Sequence, residues 1–454
     1  MSAFLAIFSL ILVLFGGWGL GYLLFRSRQS VCDQAIHSWL IGAFYVSALL
    51  GLFGILLSGE SLVAGVTLAM VIPGILALRK RLRTGAVSFA VPWPKGIWEW
   101  FLCAVLLVQC VILMHFASKA AIGWDGLMVW EVKARIAFAN GGRMPVAYFS
   151  DTSRLWSHSN YPLMLPLLET WVYLSIGECN QYWLKPIFEL FYLSALLLLY
   201  SGAAGISGRR WIGLLTASLL FFVPLLTVVD CNVFTGYADF PLATLYLAAV
   251  IYFIRYQRDP ASCRPIVYAI YAAALPWMKQ EGVILWLFLM LVAAFRFVHE
   301  RKYRLIALTA IPGAVTIIAW KLAMRAVGDV SANDFFPVTL PNLVNHASRI
   351  GVILHSLLEE LTAARYWSLL WWLFPVAVIW VAIRESRALA LQLLAFVILP
   401  LGLYSCIYIF SSWPVYLDHI HTSLPRLVSD LSLVALLTIG ISISAIARSF
   451  SRRE

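Results

Sequence analysis

Residues 99–126 read EWFLCAVLLVQCVILMHFASKAAIGWDG, an apolar run that ends in a short polar segment. The run from Trp100 to Phe116 is long enough to cross the hydrocarbon core of a bilayer as an α-helix. Because lipid offers no hydrogen-bond partners, a segment that satisfies its own backbone is the structure expected there. The stretch therefore predicts a membrane helix that places Asp125 just beyond the bilayer.

Similar apolar segments recur along the whole chain. Of its 454 residues, 62% are hydrophobic and 12% are charged, about half the charged fraction of an average soluble domain. We therefore predict an all-α, polytopic integral membrane protein. It has about thirteen transmembrane helices, near residues 3–25, 36–57, 62–78, 99–117, 182–203, 211–229, 236–254, 266–277, 282–298, 304–324, 367–383, 388–410 and 428–447.

The positive charges predict the orientation of these helices. With the N-terminus outside and the C-terminus in the cytoplasm, the cytoplasmic segments contain 21 of the 33 lysines and arginines but 6 of the 22 acidic residues. That side then carries +15 and the remainder of the chain −4, as the positive-inside rule requires. Since these loops account for the net charge of +11, we expect no nucleic acid among the partners.

Two outer loops are long in this topology, 118–181 and 325–366. The first contains an apolar stretch at 161–176, which we assign to an interfacial or re-entrant helix because a span there would invert every later loop. The second contains a possible amphipathic helix around 341–361. The chain divides into an N-terminal three-helix segment, a central transmembrane module with the first long loop, and a C-terminal part with the second loop, at 1–98, 99–324 and 325–454.

Polar residues from five outer regions meet, by topology, at one bilayer surface. Ionisable groups beside membrane segments are energetically costly, so a cluster of them indicates function. The candidates are Asp125, Glu131, Lys133, Arg135, His158, Tyr161, Asp230, Tyr237, Asp239, Lys279, Glu281, Asp418, His419, His421 and Arg426.

Several candidates have structural alternatives. Glu131 and Arg135 stand four residues apart and could form an ion pair on a helix surface. Lys279 and Glu281 could neutralise each other at a helix break. Asp125 could instead cap a helix that begins near Leu127.

Asp418, His419 and His421 have the composition of a metal site. No second cluster of ligands accompanies them, so a solvated interfacial loop is the simpler interpretation. We assign no metal ligand, and a divalent cation stays open as a cofactor.

This set of residues suits the transfer of a sugar from a lipid phosphate. A phosphate leaving group needs cations as its negative charge develops, and Lys133, Arg135, Lys279 and Arg426 are available. An acceptor hydroxyl needs a carboxylate to take its proton, which Asp125 can supply. The sequence has no nucleotide-binding motif, which favours a lipid-linked donor over a nucleotide sugar.

The motifs in residues 118–285 resemble those of the membrane-embedded GT-C glycosyltransferases. The nearest likeness is to the group of protein O-mannosyltransferases and aminoarabinose transferases, in a bacterial branch. The likeness rests on Gly123-Trp124-Asp125 with Trp130, Lys133-Ala134-Arg135, His158 to Pro162, Gly236-Tyr237-Ala238-Asp239 and Lys279-Gln280-Glu281-Gly282.

The resemblance implies a GT-C-like fold and an inverting transfer with Asp125 as general base. The donor would be a polyprenyl-phosphate-linked sugar, and the acceptor a glycan, lipid or protein on the periplasmic face of a bacterial inner membrane. The same likeness implies substrate-binding roles for His158, Tyr161 and Tyr237. Lys279, Glu281, His421 and Arg426 are further candidates on the same side.

The chain also departs from the family pattern. Protein O-mannosyltransferases carry two adjacent acids in this loop, whereas Gly126 follows Asp125 here. Glu131, Asp230 or Asp239 could supply the second acid. Two other functions stay open, a ligase or polymerase of lipid-linked oligosaccharides and a transporter or flippase, although a transporter is expected to carry its polar groups near the bilayer midplane.

Overall fold

The computed structural model describes residues 1–25, 30–84, 93–229, 232–261, 263–330 and 334–451, with side chains as far as 444. Helices make up 82% of it, and the described residues contain no strand. Nine of their helices are long and apolar enough to cross a membrane. The prediction of an all-α, multi-pass membrane protein is confirmed at this level.

The first three helices form a compact group. They are α1 Ser2–Leu24, α2 Val31–Phe53 and α3 Gly59–Thr84. The next helix, α4 Ile97–Lys119, packs instead on the helices of residues 185–219. A Cβ on Gly17 would lie 2.2 Å from the carbonyl oxygen of Ser38, and one on Gly42 would lie 2.2 Å from that of Val13. These glycines let α1 and α2 cross with their backbones nearly in contact, as small residues do in membrane bundles. Helix α3 packs against both.

The first outer loop carries three short helices. They are α5 Val132–Ala139, α6 Val146–Ser150 and α7 Met164–Ile176. Helix α7 is about 20 Å long, too short to span a bilayer core of about 30 Å. It is buried along nearly its whole length among α1, α2 and α5. Of the two assignments open for 161–176, its burial in protein favours a re-entrant helix over an interfacial one.

The remaining helices complete the bundle. They are α8 Lys185–Ser207, α9 Arg210–Leu219, α10 Pro224–Thr227, α11 Asp239–Arg258, α12 Pro265–Met278, α13 Gly282–His299, α14 Tyr303–Val327, α15 Leu340–Asn345, α16 Arg349–Thr362, α17 Ala364–Trp367, α18 Leu370–Arg384, α19 Arg387–Ile407 and α20 Tyr416–Ser451. Helices α11 and α20 are in contact and almost entirely buried, so they form the centre of the bundle.

Each of the thirteen predicted segments overlaps a helix. Four of them, 211–229, 236–254, 266–277 and 367–383, form helices outside the nine long apolar ones of the described residues. The segment 211–229 is broken into α9, a 3-10 turn and α10, because Pro224 cannot continue the first helix. The total of thirteen spans therefore stays a prediction.

Two predicted boundaries in the C-terminal part are wrong. The last helix begins at Tyr416 and not near 428, so the segment expected to be a loop is helical. Asp418 lies in the first turn of that helix, where a carboxylate favours the helix N-terminus. The amphipathic helix expected at 341–361 is two helices, α15 and α16, separated near His346.

Candidate functional site

A cavity of about 550 Å³ opens between the first outer loop, the turn joining α12 to α13, and the start of α20. This volume is typical of small-molecule sites. Helices α11 and α20 lie behind it and position the charged groups of its wall. Seven of the residues singled out from the sequence line the cavity, namely Asp125, His158, Tyr161, Lys279, Glu281, His419 and Arg426.

Five charged side chains at this wall form an alternating network of acids and bases. Arg426 Nη1 lies 2.6 Å from Asp125 Oδ2, and Arg426 Nη2 lies 3.2 Å from Asp239 Oδ2. Lys279 Nζ lies 2.7 Å from Asp239 Oδ1 and 2.9 Å from Glu281 Oε1. The side chains of Asp239 and Lys279 are 3% and 2% exposed, whereas those of Asp125 and Arg426 are 21% and 17% exposed. The network therefore runs from a buried centre to the open cavity.

Asp125 is held by a close contact between two backbone segments. The amide of Gly123 donates to the carbonyl of Thr235 at 2.8 Å. A Cβ on Gly126 would lie 2.4 Å from the same carbonyl oxygen, and Gly236 has a positive φ of 85°. Larger residues at these positions would push the two loops apart, so the glycines fix Asp125 beside the start of α11.

The capping alternative for Asp125 does not agree with this geometry. The helical turn after it, Gly126–Glu131, is a π-helix, and the Asp125 side chain makes no capping hydrogen bond to it. Its carboxylate instead faces Arg426. Loss of Asp125 would thus change the cavity wall directly.

Lys279 owes its position to a tight turn. Helix α12 ends at Met278, and a Cβ on Gly282 would lie 2.0 Å from the carbonyl oxygen of Leu275. The fourteen residues of α12 span about 21 Å. In the predicted topology, with α12 starting at the cytoplasmic surface, the turn that carries Lys279 and Glu281 would lie below the outer surface of a bilayer core of about 30 Å.

Tyr237 contributes indirectly. The guanidinium carbon of Arg426 lies 5.0 Å from the centre of the Tyr237 ring, a cation–π contact. The ring is 9% exposed and is absent from the lining of the cavity. Tyr237 thus contacts Arg426 and does not line the cavity, and its expected contact with substrate stays a prediction.

Glu131 and Arg135 lie outside the cavity lining. The Glu131 carboxylate is buried and accepts hydrogen bonds from Arg135 Nε at 2.7 Å, from Gln181 Nε2 at 2.8 Å and from the Tyr173 hydroxyl. Since its oxygens are occupied within this cluster, the ion-pair alternative describes Glu131 and Arg135 better than the catalytic and phosphate-binding roles expected of them.

Lys133 is fully buried and does not line the cavity either. Its Nζ donates to the carbonyl of His158 at 2.9 Å and makes cation–π contacts with Trp130 and Tyr161, at 5.3 Å and 5.5 Å from the ring centres. Burial lowers the pKa of Lys133 to about 7, and the carboxylate of Asp125 partly offsets this. We therefore correct the phosphate-binding role expected of Lys133 to one of positioning.

The carbonyl that Lys133 holds belongs to a strained residue. His158 has a positive φ of 49°, a conformation uncommon outside glycine. Its ring stacks on that of Tyr161 at 4.8 Å and faces the cavity. Burial lowers the pKa of His158, and the Asp334 carboxylate, 3.9 Å from its Nδ1, acts in the opposite direction.

His421 lies on a different face of α20 from Arg426. It lines a second groove of about 460 Å³, together with Glu359, Glu360 and Arg365. Its neighbour His419 stacks on Trp413 beside the first cavity. His419 and His421, which the sequence grouped with Asp418 as a possible metal site, thus face different cavities. His421 does not line the cavity that contains Asp125.

Two residues at or near the cavity, Asp334 and Asp430, are not among the candidates from the sequence analysis. Asp334 lies in the predicted second outer loop, at 325–366, where no motif marks it; it accepts a hydrogen bond from Trp413 Nε1 at 3.1 Å and lines the cavity. Asp430, one turn beyond Arg426 on α20, is fully buried near the Tyr404 hydroxyl. Its place inside an apolar helix was the one available signal.

The described residues contain no group of three or more histidines, cysteines, aspartates or glutamates arranged to hold a metal ion. Asp230, one of the candidates for the second acid, lies outside the described residues.

Comparison of the chain with protein-family models, with curated proteins and with solved structures gives no match. The GT-C likeness therefore stays a prediction from sequence motifs.

Proposed function

We propose that this protein is an inverting glycosyltransferase of the GT-C type, which moves a sugar from a polyprenyl-phosphate lipid to an acceptor hydroxyl on the non-cytoplasmic face. The ion pair between Asp125 and Arg426 carries the proposal. It brings a carboxylate and a guanidinium to 2.6 Å at the wall of a cavity that Lys279 also lines. A base for the acceptor and cations for a phosphate are thus neighbours.

The transfer exchanges two bonds at the anomeric carbon of the sugar. The acceptor oxygen bonds to that carbon while the bond to the phosphate oxygen breaks, and the electron pair leaves with the phosphate. Asp125 takes the acceptor proton, a contribution typically of about 10²–10⁴-fold. The departing lipid phosphate gains a second negative charge, which Arg426 and Lys279 would stabilise.

The charge of the network governs how a phosphate can enter. Three carboxylates and two cations sum to one negative charge, so a further anion requires a cation to be released from a carboxylate. Asp125 is the more exposed partner of Arg426. Donor binding would therefore free Asp125 from Arg426, and the base would become available once the donor is in place.

A transporter is the second candidate, because the turn with Lys279 and Glu281 lies below the predicted bilayer surface. Buried charge at the junction of two helices is typical of transporters. The two functions differ in what they require. A transferase releases polyprenyl phosphate in detergent micelles as well as in membranes, whereas a transporter needs a sealed compartment. A ligase or polymerase would share the donor and differ in the length of its product.

Binding of polyprenyl phosphate, the lipid product common to such donors, tests the proposal without knowledge of the sugar. Affinity is measured with the full-length protein in detergent for the wild type, Arg426→Gln and Arg154→Gln. Arg154 is a matched control. It also pairs with an aspartate, Asp151, but it lies in the first outer loop and does not line the cavity.

We expect Arg426→Gln to weaken binding about tenfold or more, as loss of a charged hydrogen bond does. Arg154→Gln should bind like the wild type. Equal affinities for all three proteins would contradict a phosphate site at Arg426.

A further inference from the structure

A third hollow, a groove, lies at the other end of the bundle from the cavity with Asp125, among the three helices that precede the central transmembrane module. It has a volume of about 480 Å³ and opens between α1, α2 and α3. Its walls are formed largely by Phe15, Trp18, Val31, Leu78 and Leu82. Both leucines are exposed, so the apolar wall continues onto the outside of α3, where lipid chains would lie.

A polar group closes the inner end of this groove. Trp18 Nε1 donates to Gln34 Oε1 at 3.2 Å, and Arg81 Nη1 donates to the same oxygen at 3.5 Å. Arg81 is 7% exposed, and its guanidinium carbon lies 6.0 Å from the Trp18 ring. A cation on an apolar helix thus turns inward, towards the space between the helices.

The surroundings of the groove are strongly basic. Arg79, Lys80 and Arg83 are exposed on the same two turns of α3, and Lys80 Nζ lies 5.8 Å from the Tyr22 ring of α1. The described residues that line the groove include no carboxylate. The sequence segments 26–29 and 85–92, which adjoin these helix ends, contain no acidic residue. Asp33, the nearest acid in sequence, is paired with Arg255 at 2.6 Å.

We propose that this groove binds one anionic phospholipid of the leaflet that the positive-inside rule assigns to the cytoplasm. The phosphate would sit at Arg81 and Gln34, and an acyl chain would lie along Phe15, Leu78 and Leu82. Basic pockets between membrane helices on this side are a known setting for acidic headgroups. The site is independent of the proposed transferase activity.

The simpler alternative is that the arginines of α3 are a basic surface that attracts anionic lipid without a defined site. Removal of any one surface charge would then weaken binding by about fivefold. Arg81 and Arg83 separate the two possibilities, because they lie in the same turn and Arg83 does not line the groove.

The test counts phosphatidylglycerol and phosphatidylcholine molecules retained by the purified full-length protein in native mass spectrometry. Four proteins are compared: wild type, Arg81→Gln, Arg83→Gln and Ala35→Trp. Ala35 is an exposed residue of the groove, and tryptophan there would fill the space without changing the charge.

We expect the wild type to retain one phosphatidylglycerol in preference to phosphatidylcholine. Both Arg81→Gln and Ala35→Trp should reduce that occupancy more than tenfold, and Arg83→Gln by no more than about fivefold. Equal losses for Arg81→Gln and Arg83→Gln, or full retention by Ala35→Trp, would overturn the proposal. Equal retention of the two lipids by the wild type would do the same. If Arg81→Gln fails to fold, Ala35→Trp alone decides.

Discussion

Asp125 Oδ2 and Arg426 Nη1 lie 2.6 Å apart, although one residue belongs to the first outer loop and the other to the last helix. Arg426 is also bound to Asp239 at 3.2 Å, so it links the open cavity to the buried centre of the bundle. Under the proposed function, the pair would determine both where the donor phosphate binds and when the Asp125 carboxylate is free.

The first prediction concerns the charge of this pair. Asp125→Asn keeps the shape of the side chain and removes the negative charge that competes for Arg426. We expect affinity for polyprenyl phosphate to be retained or to increase in this variant, because Arg426 no longer has to leave a carboxylate. Titration of the detergent-solubilised protein measures it. A loss as large as that of Arg426→Gln would show that Asp125 does not compete with the phosphate.

The second prediction concerns the buried centre. Asp239→Asn leaves Lys279 and Arg426 without their shared partner, and breaking a buried ion pair typically costs about 3–5 kcal/mol. Thermal unfolding in detergent should show a large loss of stability. Glu300→Gln is the matched control, because Glu300 also pairs with two cations, Arg296 and Lys302, at a more exposed position. Its loss should cost at most about 1 kcal/mol.

A double variant separates the charge effect from a packing effect. Lys279→Met combined with Asp239→Asn removes one of the two cations that lose their shared partner, so it should be less destabilised than the two single variants added together. Strict additivity would mean that the 2.7 Å contact between these residues contributes little to stability.

The third prediction is a pH dependence of stability. Lys133 has a pKa of about 7 in the fold, against its ordinary value of 10.5. Between these values the unfolded chain binds more protons than the folded one, so stability from this residue rises with pH and is constant below about 7. We expect the melting temperature of Lys133→Met relative to the wild type to fall as the pH increases from 7 to 10.

Lys95→Met provides the comparison for this experiment, since Lys95 is exposed. Its difference from the wild type is measured over the same range as the reference. A pH-independent difference for Lys133→Met relative to this reference would mean that Lys133 keeps its proton in the fold.

The fourth prediction is the topology. Reporter fusions after Arg83, Arg210 and Arg304 should lie in the cytoplasm, and fusions near Ser150 and Asn333 should lie outside, because the assigned cytoplasmic side carries +15 and the rest −4. A cytoplasmic Ser150 would put the cavity on the wrong side for a polyprenyl-phosphate donor.

The convergence of Asp125, Lys279 and Arg426 could be predicted from the sequence. Apolar lengths set the helices, and the arginine clusters decided which helix ends share a side, so residues far apart in the chain were expected at one surface. Which acid faces which base could not be predicted in this way. That pairing depends on the contact of Gly126 with Thr235 and on the tight turn at Gly282, and neither leaves a periodic pattern.

The start of the last helix could not be predicted for a related reason. Asp418, His419 and His421 are polar, and polar residues after a membrane segment usually mark a loop. Here they form the first turns of a helix, in which His419 stacks on Trp413 and His421 lines the groove that also contains Glu359. Tertiary contacts decide such a boundary, and they also bring in Asp334, which no sequence motif marks.

Turnover by Asp125→Asn tests the central claim most directly. The folded variant and the wild type are given a detergent extract of native membranes, which supplies both labelled polyprenyl-phosphate sugars and the acceptor hydroxyls, and release of polyprenyl phosphate is followed. We expect the rate to fall by about 10²–10⁴-fold while polyprenyl phosphate still binds, because a base acts in the transition state and not in the ground state. Release at the wild-type rate by folded Asp125→Asn would contradict the assignment of Asp125 as the base.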